Sequence, residues 1–167
     1  MAYKNKTYVA FDGDNDIRYY NLMRAWKQND NTTFNFYDAH DINTARDTST
    51  EETIKTRLLE RMANSKVFVL LVGEKTKYLY KFVKWEIEHA IKLNLPIIVV
   101  NINKLRQCDT ERCPSVAAGT LAVHIPFNEK IMQYALENWP QSHYEYRAKG
   151  EAGPYLYKDS AYKELGL

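Results

Sequence analysis

Glu86 is the residue of this chain whose type and position could do chemistry with the fewest helpers. It lies in Tyr-Leu-Tyr-Lys-Phe-Val-Lys-Trp-Glu-Ile-Glu-His-Ala-Ile-Lys-Leu, residues 78–93, a stretch whose apolar spacing predicts one helix. At about 100° per residue, Leu79, Phe82, Val83, Ile87, Ala90 and Leu93 form one apolar stripe, and Glu86 falls on it. Glu88 points to the far side, where Lys84 and Lys92 stand at four-residue spacing from it. An ionised carboxylate buried dry and unpaired costs several kcal/mol. Glu86 therefore needs a buried cationic partner, an escape to solvent at the margin of the stripe, or a pocket that uses it. The chemistry open to a single carboxylate is narrow. Hydrolysis of a neutral glycoside takes two carboxyl groups, one of them to protonate the leaving oxygen. A ribosyl bond to a pyridinium nitrogen needs no such acid, because nicotinamide leaves a cation as a neutral molecule. One preorganised carboxylate in a water-poor site stabilises the positive charge developing on the ribose and holds its hydroxyls. A lone inward glutamate thus fits NAD cleavage better than most hydrolyses.

Other residues invite chemistry less strongly. Asp12, Asp14 and Asp16 follow the apolar run Thr7–Phe11. A calcium loop has that opening spacing, but Ile17 replaces its glycine and Met23 its closing glutamate. A dehalogenase-type phosphatase would also end its first strand in Asp-x-Asp, yet Asn-Ile-Asn follows Val100 where acidic magnesium ligands belong. A receiver domain would carry an aspartate at the end of the third strand, where Val72-Gly73 stands. A helix cap in a polar turn is the stronger reading of all three aspartates. Lys75, Lys77, Lys81 and Lys84 read as a solvated face, although beside a crevice they would also suit a pyrophosphate. Asp38 and His40 follow the second strand and could border the same mouth. Cys108 and Cys113 would need His124 and a further ligand to hold zinc, which is a poor set. The chain has no glycine-rich phosphate loop, Ser-His-Asp arrangement or metal-spaced histidine pair. No metal and no cofactor are expected; NAD would be a substrate.

The elements that must position these groups alternate. Thr7–Phe11 reads as a strand, and Ile17–Gln28 as a helix with Tyr19, Leu22, Met23 and Trp26 inward. Phe34–Tyr37 is a second strand ending at Asp38. Ser49 with Glu52 has the form of a capping box opening a helix to Ala63, with Ile54, Leu58 and Met62 inward. Val67–Val72 is apolar without alternation, as a strand covered on both faces reads. Ile97–Val100 and Ala122–Ile125 are further strands, a short helix is expected near Ser115, and Asn128 caps a helix to about Asn138. Short links between alternating strands and helices specify a flavodoxin-like α/β three-layer sandwich around a parallel sheet of about five strands, order 2-1-3-4-5. Its ligand crevice opens at the carboxyl ends of strands 1 and 3. The loops there are Asp12–Asp16 and Gly73–Lys77, and the second leads into the Glu86 helix.

With 167 residues, one domain with a substantial core is expected. We place it at 1–140, with 141–167 as a tyrosine-rich tail (Tyr144, Tyr146, Tyr155, Tyr157 and Tyr162) packed on the same domain. The 45% hydrophobic and 26% charged content is that of an ordinary globular protein. A net charge of +2 gives no field for nucleic acid. No apolar run reaches membrane-spanning length, and the first residues lack a signal-peptide pattern. A reducing cytoplasm is the expected compartment.

Taken together, the motifs resemble a known family. Tyr-Val-Ala-Phe-Asp-Gly-Asp-Asn-Asp from Tyr8, Phe-Tyr-Asp-Ala-His from Phe36, Phe-Val-Lys-Trp-Glu-Ile-Glu-His-Ala-Ile from Phe82 and Gly-Pro-Tyr-Leu-Tyr-Lys-Asp-Ser-Ala-Tyr from Gly153 resemble TIR domains. Within these, the likeness is to the TIR-like group that includes the Thoeris anti-phage protein ThsB. Order and spacing carry the specificity, over nearly the whole chain. TIR enzymes cleave NAD with a glutamate on the helix after strand 3, commonly four residues after an aromatic, and Phe82-x-x-x-Glu86 matches that pattern with phenylalanine where tryptophan is frequent. The resemblance puts Phe11 and Asp12 at the first-strand loop and makes Asp38–Thr48 the mobile loop beside the substrate. Ala10 stands where many TIR domains have serine. What the resemblance implies is an NAD glycohydrolase or cyclase that senses infection through a phage-derived trigger. Its ADP-ribose-derived product would activate a separate effector protein. Many TIR enzymes are inactive until assembled, so a homo-oligomer is among the implied partners. The competing expectation is a TIR-like interaction scaffold that cleaves nothing, with Glu86 paired to a core cation such as Arg24.

Overall fold

The computed structural model describes residues 6–29, 37–38 and 50–167, with the pair at 37–38 described through its backbone. Among these, six strands form one all-parallel sheet: β1 (Lys6–Ala10), β2 (Tyr37–Asp38), β3 (Val67–Val72), β4 (Ile97–Asn101), β5 (Ala122–Pro126) and β6 (Pro154–Leu156). Their order is β2-β1-β3-β4-β5-β6, the expected 2-1-3-4-5 extended at one edge. All six residues of β3 are buried, because helices cover both faces of the central strands.

The helices are α1 (Ile17–Gln28), α2 (Glu51–Ala63), α3 (Val83–Lys92), α4 (Ser115–Ala118), α5 (Glu129–Ala148) and α6 (Asp159–Glu164). Strand alternation divides the core in two. Val9, Val69, Val100 and Val123 pack with Tyr20 and Met23 of α1, Leu136 and Trp139 of α5, and Tyr162 of α6. Tyr8, Leu70 and Val99 face the other way, onto Leu58 and Met62 of α2, Ile87 and Ala90 of α3, and Ala117 of α4. The three-layer α/β architecture is as expected.

Several boundaries differ from the expectations. The second strand is Tyr37–Asp38, and residues 34–36 of the expected strand lie outside the described residues. The α2 cap is Thr50, whose hydroxyl accepts from the Thr53 amide at 3.2 Å; Ser49 lies outside the described residues, and the threonine one position on supplies the same chemistry. The Glu86 helix begins at Val83, not Tyr78. A 3-10 turn over Thr76–Tyr78 and an irregular link precede it, as suits a run of aromatic residues without a side-chain cap. Leu93 is 41% exposed and outside the core stripe. Helix α5 does not stop near Asn138 but runs on to Ala148 through Pro140. Proline removes one amide, but Ala135, Leu136, Trp139 and His143 continue a buried face across it, and that packing outweighs the lost bond. The tail then supplies β6, whose register sets Val123 beside Tyr155. Its rings interlock: the Tyr146 hydroxyl donates to that of Tyr155 at 3.0 Å, and Trp139 lies 5.2 Å from Tyr155.

Candidate functional site

At the carboxyl end of β1 the chain enters a tight turn built by Asp12. Its carboxylate accepts from the amides of Asp14 (3.0 Å) and Asn15 (3.3 Å) through Oδ1 and from the Asn15 side chain (2.6 Å) through Oδ2. This leaves Asp12 only 3% exposed. It serves the turn, as the plain reading has it, and is not poised as a phosphoryl acceptor. Asp16 enters α1 without making a side-chain cap. Its carboxyl instead packs on Gly73, where a Cβ would collide with it. Burial and the neighbouring Asp12 push the pKa of Asp16 up.

Beside that turn lies a cavity of about 600 Å³, within the range of small-ligand sites. Phe11 to Asp14 form one wall, Ile54 and Leu58 of α2 another, and residues 78–83 a third, with Glu86 bordering the space. The expected second loop, Gly73–Lys77, does not line it. Gly73 is occupied beneath Asp16, and its amide donates to the Thr76 hydroxyl at 2.8 Å, so the opening is displaced toward α2 and the segment before α3. Leu79 and Phe82, expected on the helix stripe, line this cavity instead.

Glu86 sits in the first turn of α3 and is 5% exposed. Its Oε1 accepts from the Tyr8 hydroxyl at 2.8 Å, and among the described residues no cation pairs with it. Arg24, the alternative partner, is exposed on α1. Burial pushes the Glu86 carboxyl up to about 8, against the Tyr8 hydrogen bond, which pulls it down. The positive end of α3 acts in the same direction as Tyr8. Glu86 thus borders a cavity with a phenol, and among the described residues no cation, as its partner.

The remaining candidates divide. Phe11 stacks on Tyr20 at 4.8 Å with its ring half-buried at the cavity. Phe82 is also half-buried, with the ammonium groups of Lys55 and Lys81 each 5.9 Å from its ring. Asp38 is placed by its backbone alone, in register with Thr7. His40 and the expected mobile loop from 39 to 48 lie outside the described residues. Of the lysines, Lys81 lines the cavity and lies 3.3 Å from Glu51. Lys77 donates to the Thr110 carbonyl at 3.3 Å, Lys84 meets Glu88 at 3.9 Å, and Lys75 is exposed. His124 is fully buried on β5, lowered to about 4 by that burial, and Cys113 is pushed up to about 12 for the same reason. Among the described residues no group of three or more His, Cys, Asp or Glu could hold a metal ion.

Sequence reasoning missed Tyr8, which reads as one more apolar strand residue, and the exposed pair Tyr78 and Tyr80 at the cavity. Only the inward parity of Tyr8, shared with Ala10, could have flagged it. Among the described residues no helix is long and apolar enough to cross a membrane. A family model described as Thoeris protein ThsB, TIR-like domain, matches residues 8–107. That span holds Tyr8, Glu86 and every residue named here as lining the cavity.

Proposed function

This chain belongs to the TIR-like domain family of Thoeris protein ThsB, and on that premise we propose that it cleaves NAD at the bond between ribose and nicotinamide. Membership ties the chain to Thoeris anti-phage defence. The observation that carries the proposal is Glu86, buried at the edge of a cavity of about 600 Å³ with a phenol and no cation as its partner.

The cavity takes the nicotinamide riboside end of the dinucleotide, with Phe11 and Phe82 as flat apolar walls and Lys81 near the pyrophosphate. As the glycosidic bond lengthens, nicotinamide departs neutral and positive charge grows on the ribose ring. The Glu86 carboxylate meets that charge. An opposite charge at 4 Å in a partly screened site contributes about 4 kcal/mol, roughly a thousandfold in rate. Water, or a nucleophile within the same molecule, then closes onto the ribose, giving ADP-ribose or a cyclic product. The reading extends to a cytoplasmic enzyme that answers a phage-derived trigger, acts as a homo-oligomer and signals through its nucleotide product to a separate effector.

The test is nicotinamide release by the purified protein, alone and with extract of infected cells, beside Glu86→Gln. Loss of about three orders of magnitude in the variant is expected. Equal release by both proteins would remove Glu86 from the chemistry, and silence under every condition would favour the interaction scaffold. Mass spectrometry of the products distinguishes hydrolysis from cyclisation.

A further inference from the structure

Resting on the NAD-cleaving reading, we infer that Tyr8 is a positioning residue for that reaction: its hydroxyl fixes the Glu86 carboxylate in the orientation that faces the cavity and shares its negative charge. Tyr8 is 0% exposed in the middle of β1 and stacks on Phe68 of β3 at 5.6 Å, so the ring has no room to move. It does not line the cavity. Its hydroxyl reaches across 78 positions of sequence to Glu86 Oε1.

A glutamate side chain left to itself samples several rotamers, and ordering it costs free energy. The Tyr8 bond removes that freedom before substrate arrives. It occupies one carboxylate oxygen and leaves the other without a hydrogen bond among the described residues. That second oxygen is the one available to a ribose. The bond also ties the first turn of α3 to the sheet. Other titratable groups stand nearby: Asp12 and Asp14 from the turn after β1, Tyr78, Tyr80 and Lys81 from the segment before α3, and Arg61 of α2, whose charge acts on Tyr8. Among the described residues, none of them hydrogen-bonds the Glu86 carboxyl. The walls contributed by α2, Ile54 and Leu58, are apolar. Tyr8 is therefore the neighbour that offsets burial of the Glu86 charge. It is not a proton donor to the reaction, because burial and the facing carboxyl hold the pKa of its phenol well above the usual value.

Tyr8→Phe removes the hydroxyl and keeps the ring. With protein labelled by carbon-13 at glutamate carboxyls, and Glu86→Gln to assign the signal, the Glu86 titration midpoint is expected to rise by about one unit in Tyr8→Phe, a tenfold change in its ionisation constant. Replacing Tyr8 by 3-fluorotyrosine, a more acidic phenol and stronger donor, should lower the midpoint without altering packing. In nicotinamide release, Tyr8→Phe should lose about tenfold in kcat near pH 7 with KM within about twofold, and its acid limb should move with the midpoint. A midpoint unchanged in Tyr8→Phe overturns the inference whether or not the protein is active. So does a midpoint that moves while kcat and the pH profile stay where they were. Release by Glu86→Gln at the wild-type rate defeats instead the reading on which the inference rests, while the titration still reports whether Tyr8 and Glu86 are coupled.

Discussion

At the scale of single residues, the acidity of Glu86 makes the site's pH behaviour specific. With the carboxyl pushed up to about 8 by burial, only about a tenth is ionised at pH 7 in the free protein. The proposed reaction needs the ionised form, so kcat/KM should climb tenfold per unit below pH 8 and level off above it. A bound pyridinium favours the carboxylate, and the limb in kcat should therefore lie at lower pH than the limb in kcat/KM. Coincident limbs in the two profiles would count against a cation held beside Glu86. Stability runs the other way. A folded-state pKa raised from 4.5 to about 8 stabilises the fold below the unfolded value and loses that contribution as pH rises through the window. Glu86→Gln keeps an acceptor for Tyr8 and cannot ionise. Its melting temperature should exceed that of the wild type by more at pH 8 than at pH 5, as calorimetry would show. The apolar stripe around Glu86 made this residue legible in the sequence. Its partner was not, because a contact 78 positions away leaves no local pattern.

At the scale of elements, the turn after β1 and the turn after β3 are locked together by one close approach. A side chain at 73 would collide with the Asp16 carboxyl. Gly73→Ala should cost about 1–3 kcal/mol, read as a lowered melting temperature. Pairing it with Asp16→Ser, which shortens the obstructing side chain, should cost less than the sum of the two single changes, because neighbouring sites couple. Additive losses would mean that the two residues do not meet. Strand β3, the bounds of α1 and the Asn128 cap were readable because each carries a strong local signal: an unbroken apolar run, helical periodicity after a polar turn, and an amide acceptor before a helix. The inward face of α1 differs from the expected stripe, with Leu22 exposed and Tyr20 buried. The start of α3 was misread for a physical reason. Leu79 and Phe82 are apolar at helical spacing, but they lie at the margin of the core, where they also line a cavity, and spacing alone cannot tell this from a helical stripe. The course of α5 beyond Asn138 was hidden by Pro140, a local signal overruled by tertiary packing.

At the scale of the whole molecule, two buried groups shape the response to pH from opposite sides. His124 is lowered from 6.5 to about 4 by burial, and its ring nitrogens have no hydrogen-bond partner among the described residues. Its contribution is present above 6.5 and lost as pH falls through about 4. Between 4.5 and 6.5 the slopes from Glu86 and His124 oppose and cancel, so the two groups together give a plateau there and a decline on either side. His124→Leu should raise the melting temperature by more at pH 4.5 than at pH 7.5. A variant that melts as the wild type does at the lower pH would remove His124 from the acid response. The doubly covered parallel sheet was legible from alternation of elements. The sixth strand was not, because Pro-Tyr-Leu lies among charged and glycine residues without apolar periodicity. Its Tyr155 packs on Trp139 and Tyr146 of α5, a contact that leaves no local pattern in the sequence.

The amide of Glu86 donates to the carbonyl of Phe82 at 2.8 Å, so the aromatic wall and the charge beside it belong to a single helical turn. A mutation that reshapes the wall by shifting this turn of backbone would move the carboxylate with it. Under the NAD-cleaving proposal, ligand choice and catalytic strength would be mechanically geared, and natural variation at residue 82 should alter both at once.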